Sequence, residues 1–138
     1  MSDANGALDA IEASLFATLG DRHVQRGLAD PAAADRQHLL DGLVCVVGQG
    51  GGSFANYLGR EGQLGLMTVM LVGFLLVEED TEPVAIEQAE LALLQELLDW
   101  TAHPNNPGLN SVLPLEFRQS QQLEHPYGWV ALSLEVRI

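Results

Sequence analysis

The chain has 138 residues, of which 47% are hydrophobic, and its 19 acidic residues against six basic ones give a formal net charge of −13 at pH 7. A chain of this length and apolar content is expected to fold as one domain over residues 1–138, burying about two-thirds of its unfolded surface. All six basic residues are arginines. Such a negative chain repels phosphate groups, so direct binding of DNA or RNA is not expected.

The N-terminal part predicts one helix followed by a polar segment. Over Ala7–Leu19, the residues Leu8, Ile11 and Leu15 recur at helical spacing and form an apolar stripe. The segment Asp21–Gly42 holds three of the six arginines among several aspartates, and its pattern supports no firm assignment beyond a short helical turn near its Asp-Pro pair.

The run Leu43–Val47 predicts a strand because it is apolar and rich in β-branched residues. It contains Cys45, the single cysteine, which is expected to be a buried, inert thiol in a protein of a reducing compartment. The glycine-rich stretch Gln49–Ser53 predicts a loop or hairpin tip. It is not a phosphate-binding loop, because the chain has no lysine to reach a phosphate.

The run Leu64–Val77 is almost wholly apolar and predicts an unusually long buried strand. It is shorter than the roughly 20 residues that span a bilayer as a helix, so no membrane association is expected. Gly73 within it is expected to mark a bulge or bend.

The segment Val84–Trp100 predicts the clearest helix of the chain, with Thr81 as its N-cap and Pro83 in its first turn. Its acidic residues are expected to point largely away from the core. They are Glu87, Glu90, Glu96 and Asp99.

The C-terminal part predicts two strands. Val112–Gln119 is expected to lie at a sheet edge or to begin irregularly because of Pro114. Trp129–Ile138 alternates apolar and polar residues at the two-residue period of a half-buried strand. The whole chain therefore predicts an α+β fold. Two principal helices pack on a mainly antiparallel sheet, in the order helix, strands, helix, strands.

Residues that could carry chemistry form no recognisable constellation. The histidines are scattered and predict isolated surface positions, and the acidic cluster after Val77 lacks the spacing of a calcium-binding loop. We therefore expect no catalytic residues, no metal site, no cofactor and no enzymatic activity. Phe54, Tyr57 and Arg60 are of the residue types enriched at protein interfaces and predict a contact between subunits, with ordinary packing inside one subunit as the alternative.

The order of elements resembles that of the tail terminator and minor tail proteins of long-tailed bacteriophages. The likeness is closest in Leu64–Asp80, which leads into the helix Val84–Trp100, and in Leu115–Ile138. In the latter, an arginine-bearing strand and a polar turn precede Gly128-Trp129 and the closing strand. The likeness is one of layout and includes no signature motif. Asp21–Gly42 departs most from the family pattern.

This resemblance implies a structural role without catalytic residues. Such proteins cap the growing tail tube as a ring, commonly a hexamer, end its elongation and present a surface for head attachment. The implied partners are further copies of the chain, the tail tube protein and a head-completion or neck protein. The implied location is the host cytoplasm during assembly and then the virion tail. Two alternatives stay open: another neck or tail-completion protein, or a small ligand-binding or catalytic domain that uses Gly48–Arg60 as a lid.

Overall fold

The computed structural model describes residues 4–54, 65–104, 109, 112–121 and 125–137, without the side chains of 52–54. Its described elements are the helices α1 to α3 and the strands β1 to β5. In chain order they are α1 (Ala4–Thr18), β1 (His23–Arg26), α2 (Arg36–Asp41), β2 (Leu43–Phe54), β3 (Gly65–Leu76), α3 (Val84–Ala102), β4 (Val112–Gln119) and β5 (Tyr127–Arg137).

The five strands form one sheet in the order β1-β2-β3-β5-β4. Every neighbouring pair is antiparallel except β1 and β2, which run parallel. The predicted α+β class and mainly antiparallel sheet are therefore confirmed, and the predicted order of elements holds approximately. The additions are β1 and α2, which both lie in the segment 21–42 that the sequence pattern left unassigned.

Helices α1 and α3 cover one face of the sheet and form the larger core with it. The fully buried Trp100 joins the two helices, because its indole N–H donates a hydrogen bond of 2.8 Å to the Ser14 hydroxyl. That hydroxyl in turn donates to the carbonyl of Pro104. A tryptophan can be fully buried here because the core covers its ring and its indole N–H has a hydrogen-bond acceptor.

The short helix α2 covers part of the opposite face, where Leu39 packs with Leu43, Cys45, Val72 and Leu76 in a second, smaller core. The prediction that Cys45 is buried is confirmed, since it is 0% exposed. Burial raises the pKa of its thiol, which favours the protonated, unreactive form.

The strand β3 covers 12 of the 14 residues of the predicted apolar run, and Gly73 does not interrupt it. Its pairing with β5 is continuous past Gly73, which lies opposite Val130. The reason for a glycine is packing, because a Cβ at this position would lie only 2.3 Å from Cδ2 of Leu93 on α3. The predicted bulge or bend is therefore wrong, and the glycine instead lets the helix approach the sheet.

Three further expectations are wrong. The stretch Gln49–Ser53 is not a loop, because β2 continues to Phe54 and absorbs the glycines in a register shift between Gly48 and Gly52. Thr81 does not cap α3, because its hydroxyl bonds to the carbonyl of Glu78 and Pro83 occupies the N-cap position. The carboxylate of Glu90 does not face solvent, since this residue is 0% exposed.

Candidate assembly surface

The three residues predicted to form a subunit interface lie at the end of β2 and in the sequence that follows it. Phe54 is the last residue of β2, where its backbone pairs with Gly65 at the start of β3. Tyr57 and Arg60 lie outside the described residues, so their part of the prediction stays a prediction.

The outer edge of β2 is open over most of its length. Strand β1 pairs only with residues 43–46, and its pairing ends where the N–H of Gly27 donates to the carbonyl of Val46 at 3.0 Å. From Val47 to Phe54, no described strand pairs with β2 on that side. Backbone N–H and C=O groups along such an edge are free to pair with a strand of another chain.

The strand β4 forms the opposite edge of the sheet, and its one partner among the described strands is β5. This confirms the edge position expected from Pro114. Three large apolar side chains along it are about half exposed, namely Leu113 (52%), Leu115 (50%) and Phe117 (48%). Single exposed apolar residues are ordinary, but three along one edge strand leave an apolar edge of the kind found at interaction sites. Leu113 pairs with Glu135 and Phe117 with Leu132, so the register shift at Leu115 places Leu113 and Phe117 on opposite faces of the sheet.

A buried carboxylate anchors the end of β4 and the start of β5 to α3. Glu90 accepts hydrogen bonds from the Gln119 amide (3.0 Å), the Ser120 hydroxyl and the backbone N–H of Trp129 (3.0 Å). The donors lie at the end of β4, just after it, and near the start of β5, so these bonds hold the edge strand at a fixed position relative to the helix.

Both open edges carry little charge in a strongly acidic chain. Residues 47–54 contain no charged side chain, and residues 112–119 contain one acid, Glu116, and one base, Arg118. Lysines and other charges are the usual protection of an exposed edge against pairing. These edges instead carry Pro114 and two register shifts, one on each strand.

The face of the sheet opposite α1 and α3 also carries a groove. Its volume is about 560 Å³, it is largely apolar, and Pro31, Phe74, Tyr127 and Trp129 are among the residues that line it. The glycine-rich half of β2 pairs with residues 65–69 at the other end of β3. The described part of Gly48–Arg60 therefore lies away from this groove and does not cover it, as a lid would.

Two histidines are closer together than their scatter in the sequence suggested. The rings of His23 and His38 stack with centroids 3.9 Å apart, and Nε2 of His23 lies 3.1 Å from Oδ2 of Asp41. The Gln37 amide and His23 both bond to that carboxyl and lower the pKa of Asp41.

In the described part of the chain, no group of three potential metal ligands is suitably placed. Likewise, no described helix is long and apolar enough to cross a membrane.

Comparison with solved structures gives a likeness that spans the whole fold. The chain resembles a protein chain in the virion of a native gene transfer agent particle, with a TM-score of 0.59 and 12% sequence identity over 99% of this chain and 98% of that one. No protein-family model matches the sequence, and no curated protein does. At this identity the likeness shows a shared α+β fold.

Proposed function

We propose that this protein is a structural component of a phage or phage-like particle and assembles with copies of itself and with other virion proteins. The observation that carries the proposal is the likeness over almost the full length of both chains to a component of a gene transfer agent virion. Two open sheet edges with little charge support it, because such edges suit contacts between subunits.

Within that class, we propose the role of tail terminator. The chain would close into a ring, six copies in the arrangement that the family resemblance implies, on the end of a tail tube. It would stop the tube from growing and offer the opposite side of the ring to a head-completion or neck protein. The role is non-enzymatic, and the protein would act in the host cytoplasm and then in the virion tail.

Deletion of the gene in a strain that produces the particle tests this role. Loss of a terminator leaves tube growth without a stop, so electron microscopy should show overlong tails without heads, and expression of the gene in trans should restore tail length. Particles with tails of normal length joined to heads would contradict the terminator role. Headless tails of normal length would instead indicate another neck or tail-completion protein.

A further inference from the structure

We propose that the free edge of β4 in one copy of this chain pairs with the free edge of β2 in the next copy, so that their sheets join into one. The inference deepens the proposed function and rests on it, since it assumes that the chain assembles with itself. It names the two surfaces that meet: residues 112–119 of one copy and residues 47–54 of its neighbour.

The directions of the strands fit this contact. Strands β2, β3, β5 and β4 lie side by side and alternate in direction, because each neighbouring pair is antiparallel. A β2 strand placed beyond β4 therefore meets it antiparallel and continues the alternation without turning the sheet over. The contact joins two different surfaces, and repetition of such a contact gives a closed ring when the rotation between neighbours closes and an open filament when it does not.

The lengths of the two edges also match. Strand β2 has twelve residues and β1 pairs with the first four, so eight remain open on that side. Strand β4 has eight residues. An antiparallel contact of eight residues is within the usual length of a β-strand in a sheet.

Side-chain size is complementary between the two edges. A Cβ placed on Gly50 or Gly51 would have no atom within 4 Å, so the β2 edge offers open space beside its backbone. The β4 edge carries Leu113, Leu115 and Phe117, each about half exposed. Because Leu113 and Phe117 lie on opposite faces of the sheet, a β2 strand paired beside them would cover apolar surface on both faces. Removing that surface from water is favourable by about 25 cal/mol per Å² buried.

Charge favours the same pair of surfaces. Each copy carries a net charge of −13, but residues 47–54 carry none and residues 112–119 carry one charge of each sign. Copies that meet through these edges bring only Glu116 and Arg118 into the contact, so little charge repulsion arises there. Pro114 donates no backbone hydrogen bond, so it restricts the registers in which the β4 edge can pair.

Two single-charge variants test the contact. Leu115→Glu places a carboxylate on the β4 edge, and Gly51→Glu places one on the β2 edge. Leu115 is half exposed, and Gly51 has open space and a backbone conformation open to other residues, so both variants should keep the wild-type circular dichroism spectrum and Tm. Gln88→Glu, on the exposed side of α3, adds the same charge away from both edges and serves as the control.

The readout is native mass by light scattering in the salt at which the wild-type chain assembles. Each edge variant alone should raise the concentration needed for assembly at least tenfold, and Gln88→Glu should leave it within about twofold. An equimolar mixture of the two edge variants should form a discrete dimer of twice 14.9 kDa, about 30 kDa. The reason is that the mixture holds one intact edge of each kind, enough for one contact and no more.

Three results would overturn the inference. If both edge variants assemble like the wild type, the contact lies elsewhere, while the self-assembly in the proposed function stands. If Leu115→Glu does not assemble and Gly51→Glu assembles normally, β4 of one copy pairs with β4 of another copy. If the wild-type chain stays monomeric at every salt concentration, the proposed ring is wrong and this inference fails with it.

Discussion

Gly128 at the start of β5 lies directly against the buried carboxylate of Glu90 in α3. A Cβ on Gly128 would come within 2.4 Å of Oε2 of Glu90 and 2.3 Å of Cγ1 of Ile86. The absence of a side chain thus gives the carboxylate access to the backbone N–H of Trp129 and to the Ser120 hydroxyl. The position of the β4 edge therefore depends on a helix residue that looks, in sequence, like part of a solvated acidic face.

Replacement of Glu90 tests this anchor. Glu90→Ala should lower the free energy of unfolding by about 1–3 kcal/mol, because it removes the acceptor of the buried Ser120 hydroxyl and of the N–H of Trp129. The exposed Glu79 provides the matched control, and Glu79→Ala should change stability by less than about 0.5 kcal/mol. Urea denaturation followed by circular dichroism measures both, and equal stabilities of the two variants would refute the anchor.

The close approach of α3 to β3 gives a second prediction, for the pair Gly73 and Leu93. Gly73→Ala should destabilise the protein by about 1–3 kcal/mol, because the new methyl group collides with the leucine side chain. Gly20→Ala is the control, since a Cβ there has no atom within 4 Å. It should be neutral or stabilising by up to about 1 kcal/mol.

A double-mutant cycle sharpens this test. Leu93→Ala alone should cost about 2–5 kcal/mol through the cavity that it leaves. In the Gly73→Ala background its cost should fall by at least about 0.5 kcal/mol, because the added methyl group occupies part of that cavity. Additive costs would show that the two residues do not constrain each other.

The thiol of Cys45 gives a third prediction. Burial excludes reagents and raises the pKa of the thiol, so a disulfide reagent such as DTNB should fail to label the folded protein at pH 8. The single thiol should react fully in about 6 M guanidinium chloride, so the denatured protein is the control for the native protein. Rapid labelling of the native protein at its full thiol content would contradict the buried position in β2.

How far the sequence predicted the fold depended on pattern length. The long apolar run around Val72 and the alternating run Trp129–Ile138 carry enough periodicity to identify β3 and β5, and the apolar stripe on α3 identifies that helix. Strand β1 has four residues and only Val24 is a β-branched apolar one, so its signal is too short to read. The glycines of β2 predicted a loop because propensity ignores the neighbouring strand that holds them extended.

The candidate surface was harder to predict than the fold. The apolar residues of β4 indicated a strand, but its exposure follows from the sheet order β1-β2-β3-β5-β4, which no local pattern encodes. The sequence pattern predicts a solvent-facing Glu90, whereas the residue is buried. The pattern misses this because the partners of Glu90 are Gln119, Ser120 and the N–H of Trp129, about 30 or more residues away in sequence. Contacts over such distances are a property of tertiary structure.

Salt dependence gives a fourth prediction, for assembly of the wild-type chain. Six copies would carry six times −13, a formal charge of −78, so ring closure is opposed by repulsion at low ionic strength. The Debye length falls from about 10 Å at 0.1 M salt to about 3 Å at 1 M, so added NaCl should promote assembly, as should Mg²⁺ at millimolar concentration. Sedimentation velocity across a salt series measures this, and assembly that weakens steadily as salt rises would contradict it.

The central claim, that this chain is a ring-forming virion subunit, is tested most directly by its native mass. Light scattering across protein concentration at high salt, with and without Mg²⁺, should show a discrete step from 14.9 kDa to a closed species of six times that mass, about 89 kDa. A strict monomer under every condition, or a dimer that grows no further, would contradict the account.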